Sequence, residues 1–199
     1  ESPGYNGFRH LLERHRAQGI PVPVDEQGLC TGHLPDRPVQ LAFVTPSHQY
    51  PLGHTLTVRR RQELLAWAST SGALIIEDDY DGDFCYGPAL PAALKAMSPG
   101  QVIYLGSFSK TLGPGLRLAY MVCPPQLSQD FIARKALLNN GSPWLTQAVL
   151  ARFFDEYDYP RHLQHLRRRY LDQRNILLQG LKHIWGNTGV ISGQNAGMH

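Results

Sequence analysis

Two stretches of this sequence concentrate groups that can hold or attack a small molecule. In GSFSKTLGPGLRLAY, residues 106–120, one lysine stands among hydroxyl residues, glycines and an arginine. Ser107, Ser109 and Thr111 offer hydroxyls and Arg117 a two-pronged guanidinium, a set that suits a phosphate dianion better than a neutral ligand. Lys110 in that company is a candidate nucleophile. An amine attacks a carbonyl only after losing its proton, and nearby cations with partial burial favour the neutral form. Taken alone, Lys110 reads equally well as a phosphate clamp or a solvated loop residue.

The second stretch, IIEDDYDGDFCY at residues 75–86, puts acids and a tyrosine at the end of an apolar run. A lysine nucleophile, a phosphate site and a buried carboxylate together meet the needs of pyridoxal phosphate. Its pyridine nitrogen is an electron sink only when protonated, and an aspartate against that nitrogen keeps the proton in place. Asp78 is the candidate for this contact, and Tyr80 for a hydrogen bond to the ring's phenolate oxygen. Without the lysine loop, the same acids would describe a metal site or an exposed turn.

Strands must end where these groups lie. Residues 40–45 (QLAFVT), 73–76, 102–105 and 118–122 are short β-rich runs, and 20–24 is a further candidate. Helical spacing at Phe8, Leu11, Leu12 and Ala17 predicts a helix over 5–18 closed by Gly19. A second helix, 58–71, takes Thr57 as its cap, buries Leu64, Leu65 and Ala68, and stops at Gly72. Strands alternating with helices imply an α/β fold with a mostly parallel sheet covered on both faces, and such sheets collect ligands at their strand ends. From 126 to 185 helical periodicity dominates, with interruptions at 139–143 and near Pro160. The last helix, 161–184, carries Leu163, Leu166, Tyr170, Leu177, Leu181 and Ile184 on one face.

Composition narrows the class. With 199 residues, 42% hydrophobic and 18% charged, the chain is expected to be globular, and a net charge of +3 is too weak to imply nucleic acid. Arg161, His162, His165 and Arg167–Arg169 read as the solvated face of an amphipathic helix rather than a DNA contact. Cys30, Cys85 and Cys123 form no CxxC or zinc spacing, so no metal is expected and a reducing cytoplasm fits best. No apolar run approaches the roughly 18 residues of a membrane span. The opening ESPGYNGF and the closing GQNAGMH are expected to lie inside a longer protein.

TPSHQYPLG, IIEDDYDGDF and GSFSKTLGPGLRLAY, in this order and spacing, resemble the effector domains of MocR-type regulators. These are the GntR-family subgroup that joins a winged helix-turn-helix to an aminotransferase-like domain. PGY near the start, RHLQHLRRRYLDQR and the final AGMH extend the resemblance along nearly the whole chain. It implies the large domain of a fold-type-I pyridoxal-phosphate-dependent transferase, with Lys110 forming the internal aldimine, Asp78 on the pyridine nitrogen and Tyr80 at the phenolate oxygen. It further implies Ser107, Ser109 and Arg117 on the phosphate and Tyr5 stacked on the ring. Related aminotransferases read NPTG where this chain has Tyr50, Pro51, Leu52 and Gly53, so the asparagine at the phenolate oxygen is replaced. His48 and Gln49 are candidates to line the pocket instead.

The resemblance divides the chain into residues 1–125, part of the large domain, 126–160, its helical continuation, and 161–199, a connecting helix with the start of a small domain. A glycine-rich phosphate loop, an arginine for a substrate carboxylate and the DNA-binding winged helix are expected outside this segment. The first functional expectation is an effector-sensing and dimerising domain of a bacterial transcription regulator, responding to an amino acid or amine. The second is a pyridoxal-phosphate-dependent aminotransferase acting on an amino acid or amine, with Lys110 moving the substrate's α-proton. A nucleotide-binding module without this cofactor fits less well, since ATP requires no aspartate opposite a lysine.

Overall fold

A computed structural model describes residues 1–87, 91–140, 143–156, 158–186, 188–189 and 191–198. Its centre is a four-stranded sheet in the order β3-β4-β5-β6, formed by Leu41–Val44, Leu74–Asp79, Val102–Ser107 and Ala119–Val122. β3, β4 and β5 run parallel, while β6 returns antiparallel to β5. A small two-stranded ribbon, β1 (Val24–Asp25) with β2 (Gly28–Leu29), precedes them.

The crossover from β3 to β4 is α2, Val58–Ser71. Thr57 accepts from the Arg60 N–H at its start, and Gly72 ends it in the left-handed region at φ 72°. Leu64 and Ala68 face the sheet and join Val44, Ile75, Leu94 and Val102 in the buried core, with Leu65 partly buried beside them. Alternation along β4 sends Ile75 and Glu77 to this covered face and Ile76 and Asp78 to the other. On that second face α1, Asn6–Arg14, lays Phe8 over Phe43 of β3, the rings stacked at 4.2 Å.

Three expected boundaries move. α1 stops at Arg14, well before Gly19, because Arg16 takes the left-handed conformation (φ 53°), with Ala17 N–H bonded to the Leu12 carbonyl and Arg16 N–H to that of Glu13. This is a glycine's usual closing role filled by an arginine. Residues 20–24 do not form a strand, since Pro21 and Pro23 lack the N–H groups a ladder needs; only Val24 enters β1. β4 also runs on through its acids to Asp79, three residues past the expected end.

Beyond β6 the chain is helical: α4 (Pro125–Asn139), α5 (Trp144–Glu156) and α6 (Tyr159–Trp185), with the four-residue α3 (Leu94–Met97) lying earlier, between β4 and β5. Pro160 falls in the first turn of α6, where a missing N–H costs nothing, and Asp158 caps that helix by accepting from Arg161 N–H at 3.1 Å. Residues 141–142 of the predicted 139–143 break, and His199 of AGMH, lie outside the described residues. Among the described residues no helix is long and apolar enough to cross a membrane.

Candidate functional site

Because β3, β4 and β5 are parallel, the loops leaving their carboxyl ends gather on one rim: residues 45–53, 80–87 and 108–117. Ligands of such sheets bind at that rim. Register places Asp78 beside Leu105 and Asp79 beside Gly106, so the acids of β4 and the Ser107–Lys110 segment after β5 are neighbours.

The three consecutive acids have separate surroundings. Glu77 is fully buried beneath the sheet, where it accepts from the Leu94 and Lys95 N–H groups, both at 2.9 Å, and lies 3.7 Å from the Arg61 guanidinium. Asp79 accepts from the Tyr104 hydroxyl at 2.5 Å. Asp78, on the opposite face, has no hydrogen bond or ion pair among the described residues. Burial, with Asp79, Asp81 and Glu1 nearby, pushes its carboxyl up to about 6. A half-buried carboxylate surrounded by other acids is stabilised by a cation brought against it.

Tyr80 follows on the same rim. Burial, then the charges of Asp81 and Asp78, push its phenol well above the ordinary range, so it stays a neutral donor. Its oxygen lies 3.2 Å from His48 Nδ1, and that nitrogen lies 2.8 Å from Asp81 Oδ2. His48 and Gln49 are both buried. Gln49 donates to the carbonyls of Pro3 and Tyr50 and accepts from Leu52 N–H, which fixes the loop around the cis peptide before Pro51.

Lys110 is exposed, so the described residues do not supply the burial expected around its amine. Ser107 Oγ accepts from Ser109 N–H at 3.2 Å. Arg117 is exposed, has no bonded partner among the described residues, and sits in the left-handed region at φ 51°. Backbone of that kind costs roughly 1–3 kcal/mol in a non-glycine residue. Tyr5 is half exposed at the start of α1, on Asp78's face of the sheet, and meets the Tyr50 ring edge-on at 6.0 Å.

Contacts not foreseen from sequence hold this rim together. Arg61, fully buried, donates to the carbonyls of Pro46, Leu56 and Ala92 and so ties both ends of the β3–α2 loop and the segment before Leu94 to the covered face. A polar residue in helical register with Leu64 and Ala68 was the available signal. Thr111, next to Lys110, is pinned by α6: Tyr159 Oη donates to its hydroxyl at 3.1 Å and His162 Nε2 to its carbonyl at 2.8 Å. Arg167 donates to the Asp83 carbonyl and Arg174 to that of Gln194. The chain then folds back, with Gly197 N–H on the Phe84 carbonyl and Gly193 against Gly53 so closely that a Cβ on Gly53 would lie 2.6 Å from Gly193 Cα. No sequence pattern announced these long-range contacts.

The arrangement fits pyridoxal phosphate: a carboxylate unpaired among the described residues for a pyridinium, a neutral phenol donor, an accessible amine, and hydroxyls with a guanidinium that is free among the described residues for a phosphate. Among the described residues no cluster of His, Cys, Asp and Glu could hold a metal ion.

Comparison with known proteins agrees with this chemistry. The aminotransferase class I and II family model matches residues 1–199. The chain is 38% identical over 200 residues to the uncharacterized HTH-type transcriptional regulator YhdI of Bacillus subtilis, covering all of this chain and 43% of that protein. It is 35% identical over 201 residues to the "probable rhizopine catabolism regulatory protein MocR" of Rhizobium meliloti, covering all of this chain and 40% of that one. In structure it resembles the kynurenine aminotransferase of Pyrococcus horikoshii, solved with PMP, at a TM-score of 0.85 and 28% identity over 91% of this chain and 47% of the other. The chain thus spans less than half the length of each, and the MocR-type resemblance seen in its motifs is borne out. Matched from its first residue to its last, the chain belongs to the aminotransferase class I and II family and has the fold-type-I architecture of its large domain.

Proposed function

We propose that this chain is the pyridoxal-phosphate-binding, effector-sensing and dimerising part of a bacterial transcription regulator. The observation that carries the cofactor assignment is Asp78, a half-buried carboxylate without a partner among the described residues, beside the Lys110 loop. When bound, pyridoxal phosphate supplies an aldehyde that condenses with amines and a ring that accepts electrons. Lys110 Nζ is its attachment point. Asp78 holds the proton on the pyridine nitrogen, and Tyr80 donates to the phenolate oxygen. Ser107, Ser109 and Arg117 take the phosphate, Tyr5 covers one ring face, and His48 and Gln49 support the wall of the pocket.

Similarity along the whole chain to HTH-type regulators supports the regulatory role. In that role an amino acid or amine competes with Lys110 for the cofactor, and the resulting change of state reaches DNA through a winged-helix domain outside this segment. Dimerisation is supported by the exposed Leu137, Leu138, Trp144 and Leu145 of α4 and α5, an apolar surface that suits a second copy. In this reading residues 1–125 and 126–160 form the large-domain part, and 161–199 are the connecting helix with the start of the small domain.

The likeness to an aminotransferase solved with PMP favours a second reading, a working transaminase. Both readings require attachment at Lys110. Borohydride reduction of the intact, cofactor-loaded protein followed by peptide mapping should find the label on Lys110, and Lys110→Ala should remove the yellow colour. A label on another lysine would refute the assignment.

A further inference from the structure

We infer that His48, gripped by Asp81, is a positioning residue that turns the Tyr80 hydroxyl toward the site. The inference rests on the reading of Tyr80 as the donor to the cofactor's phenolate oxygen, and it concerns how that donor is aimed.

Both side chains of the His48–Asp81 pair are 1% exposed, with Nδ1 and Oδ2 2.8 Å apart. The Tyr80 oxygen approaches the same Nδ1, at 3.2 Å. One nitrogen therefore faces two oxygens, and only one assignment of its proton suits both. An ionised carboxylate can only accept, so Nδ1 carries hydrogen and donates to Asp81; the tautomer follows from the bonding geometry. Toward Tyr80, that nitrogen has no lone pair to offer. The phenol oxygen can only accept from it, and the phenol's own proton is directed elsewhere. Were Asp81 not holding the proton on Nδ1, the imidazole would become an acceptor and Tyr80 would spend its hydrogen on it.

The surrounding packing keeps the imidazole in place. A Cβ at Gly197 would collide with the His48 ring, so the returning chain presses directly on it, and the Gly197 N–H is tied to the Phe84 carbonyl at 2.7 Å. Tyr50 meets the Tyr80 ring edge-on at 6.3 Å. Besides His48, the charged and titratable groups acting on Tyr80 include Asp81, Asp78, Tyr50 and Glu1. None of the three acids offers a hydrogen when ionised, and each repels a phenolate, so all favour Tyr80 as a protonated donor.

The test is a double-mutant cycle in the full-length protein loaded with pyridoxal phosphate, read as cofactor dissociation constant and as the visible absorption of the bound cofactor. Tyr80→Phe and His48→Leu should each weaken binding about three- to tenfold, the usual reach of one hydrogen bond, and change the visible band in the same sense. In the Tyr80→Phe background His48→Leu should add almost nothing. His48→Asn, whose amide N–H stands in for Nδ1–H, should recover most of the loss. If His48→Leu does not fold, Asp81→Ala takes its place in the cycle with the same expectation.

Additive losses, or a His48→Leu protein with a lowered melting temperature but wild-type affinity and absorption, would overturn the positioning role while leaving Lys110 and Tyr80 as assigned. Wild-type protein without any Lys110-dependent visible band would overturn the underlying reading and this role with it.

Discussion

Replacing Asp78 by asparagine separates the two demands on this carboxylate, stability without cofactor and affinity for it. The folded chain raises the group from 3.8 to about 6, chiefly by burial and then by Asp79, Asp81 and Glu1. At about 1.4 kcal/mol for each tenfold change in proton affinity, that rise makes the ionised carboxylate cost the cofactor-free fold about 3 kcal/mol. The folded-state value lies above the unfolded one, so the folded chain binds more protons between about pH 4 and pH 6. Stability therefore falls as pH rises through that window, and the penalty is complete above it. Asp78→Asn keeps the shape and removes the charge. In cofactor-free protein at neutral pH it should raise the melting temperature by roughly 6–12 °C for a unit of this size, and the gain should vanish near pH 4. The same substitution should weaken pyridoxal phosphate binding, because an amide does not hold the pyridinium proton. Asp79→Asn should instead lower stability, since it weakens the bond from Tyr104. Calorimetry with and without cofactor at the two pH values decides the matter. A neutral or destabilising Asp78→Asn at neutral pH would show that the carboxylate has a structural partner, and an undiminished gain near pH 4 would show that ionisation is not the cause.

Arg61→Met should destabilise by about 3–5 kcal/mol in urea denaturation, because it strands Glu77 as a buried charge and leaves three loop carbonyls without their donor. Gly197→Ala combines a collision with His48 and a residue at φ 81°; it should cost about 1–3 kcal/mol and loosen cofactor binding, measured by melting and by titration. A panel of amino donors with a keto-acid acceptor should give slow turnover by the full-length protein. Sustained rates of about 1 to 10³ per second would favour the transaminase reading unless DNA binding was also demonstrated.

What could be read in advance followed the range of each signal. Thr57, Gly72 and the spacing of Leu64 and Ala68 are local, and α2 forms between the expected residues. The acids at the end of β4 were legible for a similar reason, since they adjoin a short apolar run; alternation then separates Asp78 from both neighbours, and the structure gives Glu77 and Asp79 partners of their own. Arg16 closing α1 was not legible, because an arginine in the left-handed region depends on the two carbonyls it helps to satisfy rather than on its type. Arg61 lies in the apolar stripe of α2, but its acceptors are 5, 15 and 31 residues away. The His48–Asp81 pair and the clasp of Tyr159 and His162 on Thr111 join residues 33 to 51 positions apart. Such contacts exist only once the sheet has set the loops side by side.

α6 has the proportions of a gauge needle. Between Tyr159 and Arg174 it is fastened to the lysine loop at Thr111, to the loop after Tyr80 at Asp83 and to the returning chain at Gln194, whereas Ile176, Leu177, Ile184 and Trp185 beyond are exposed. A helix of 27 residues is about 40 Å long, so a tilt of about 5° at the Thr111 end sweeps the tip through about 3 Å. Such a tilt would reach Trp185 as a displacement large enough to make or break a side-chain contact.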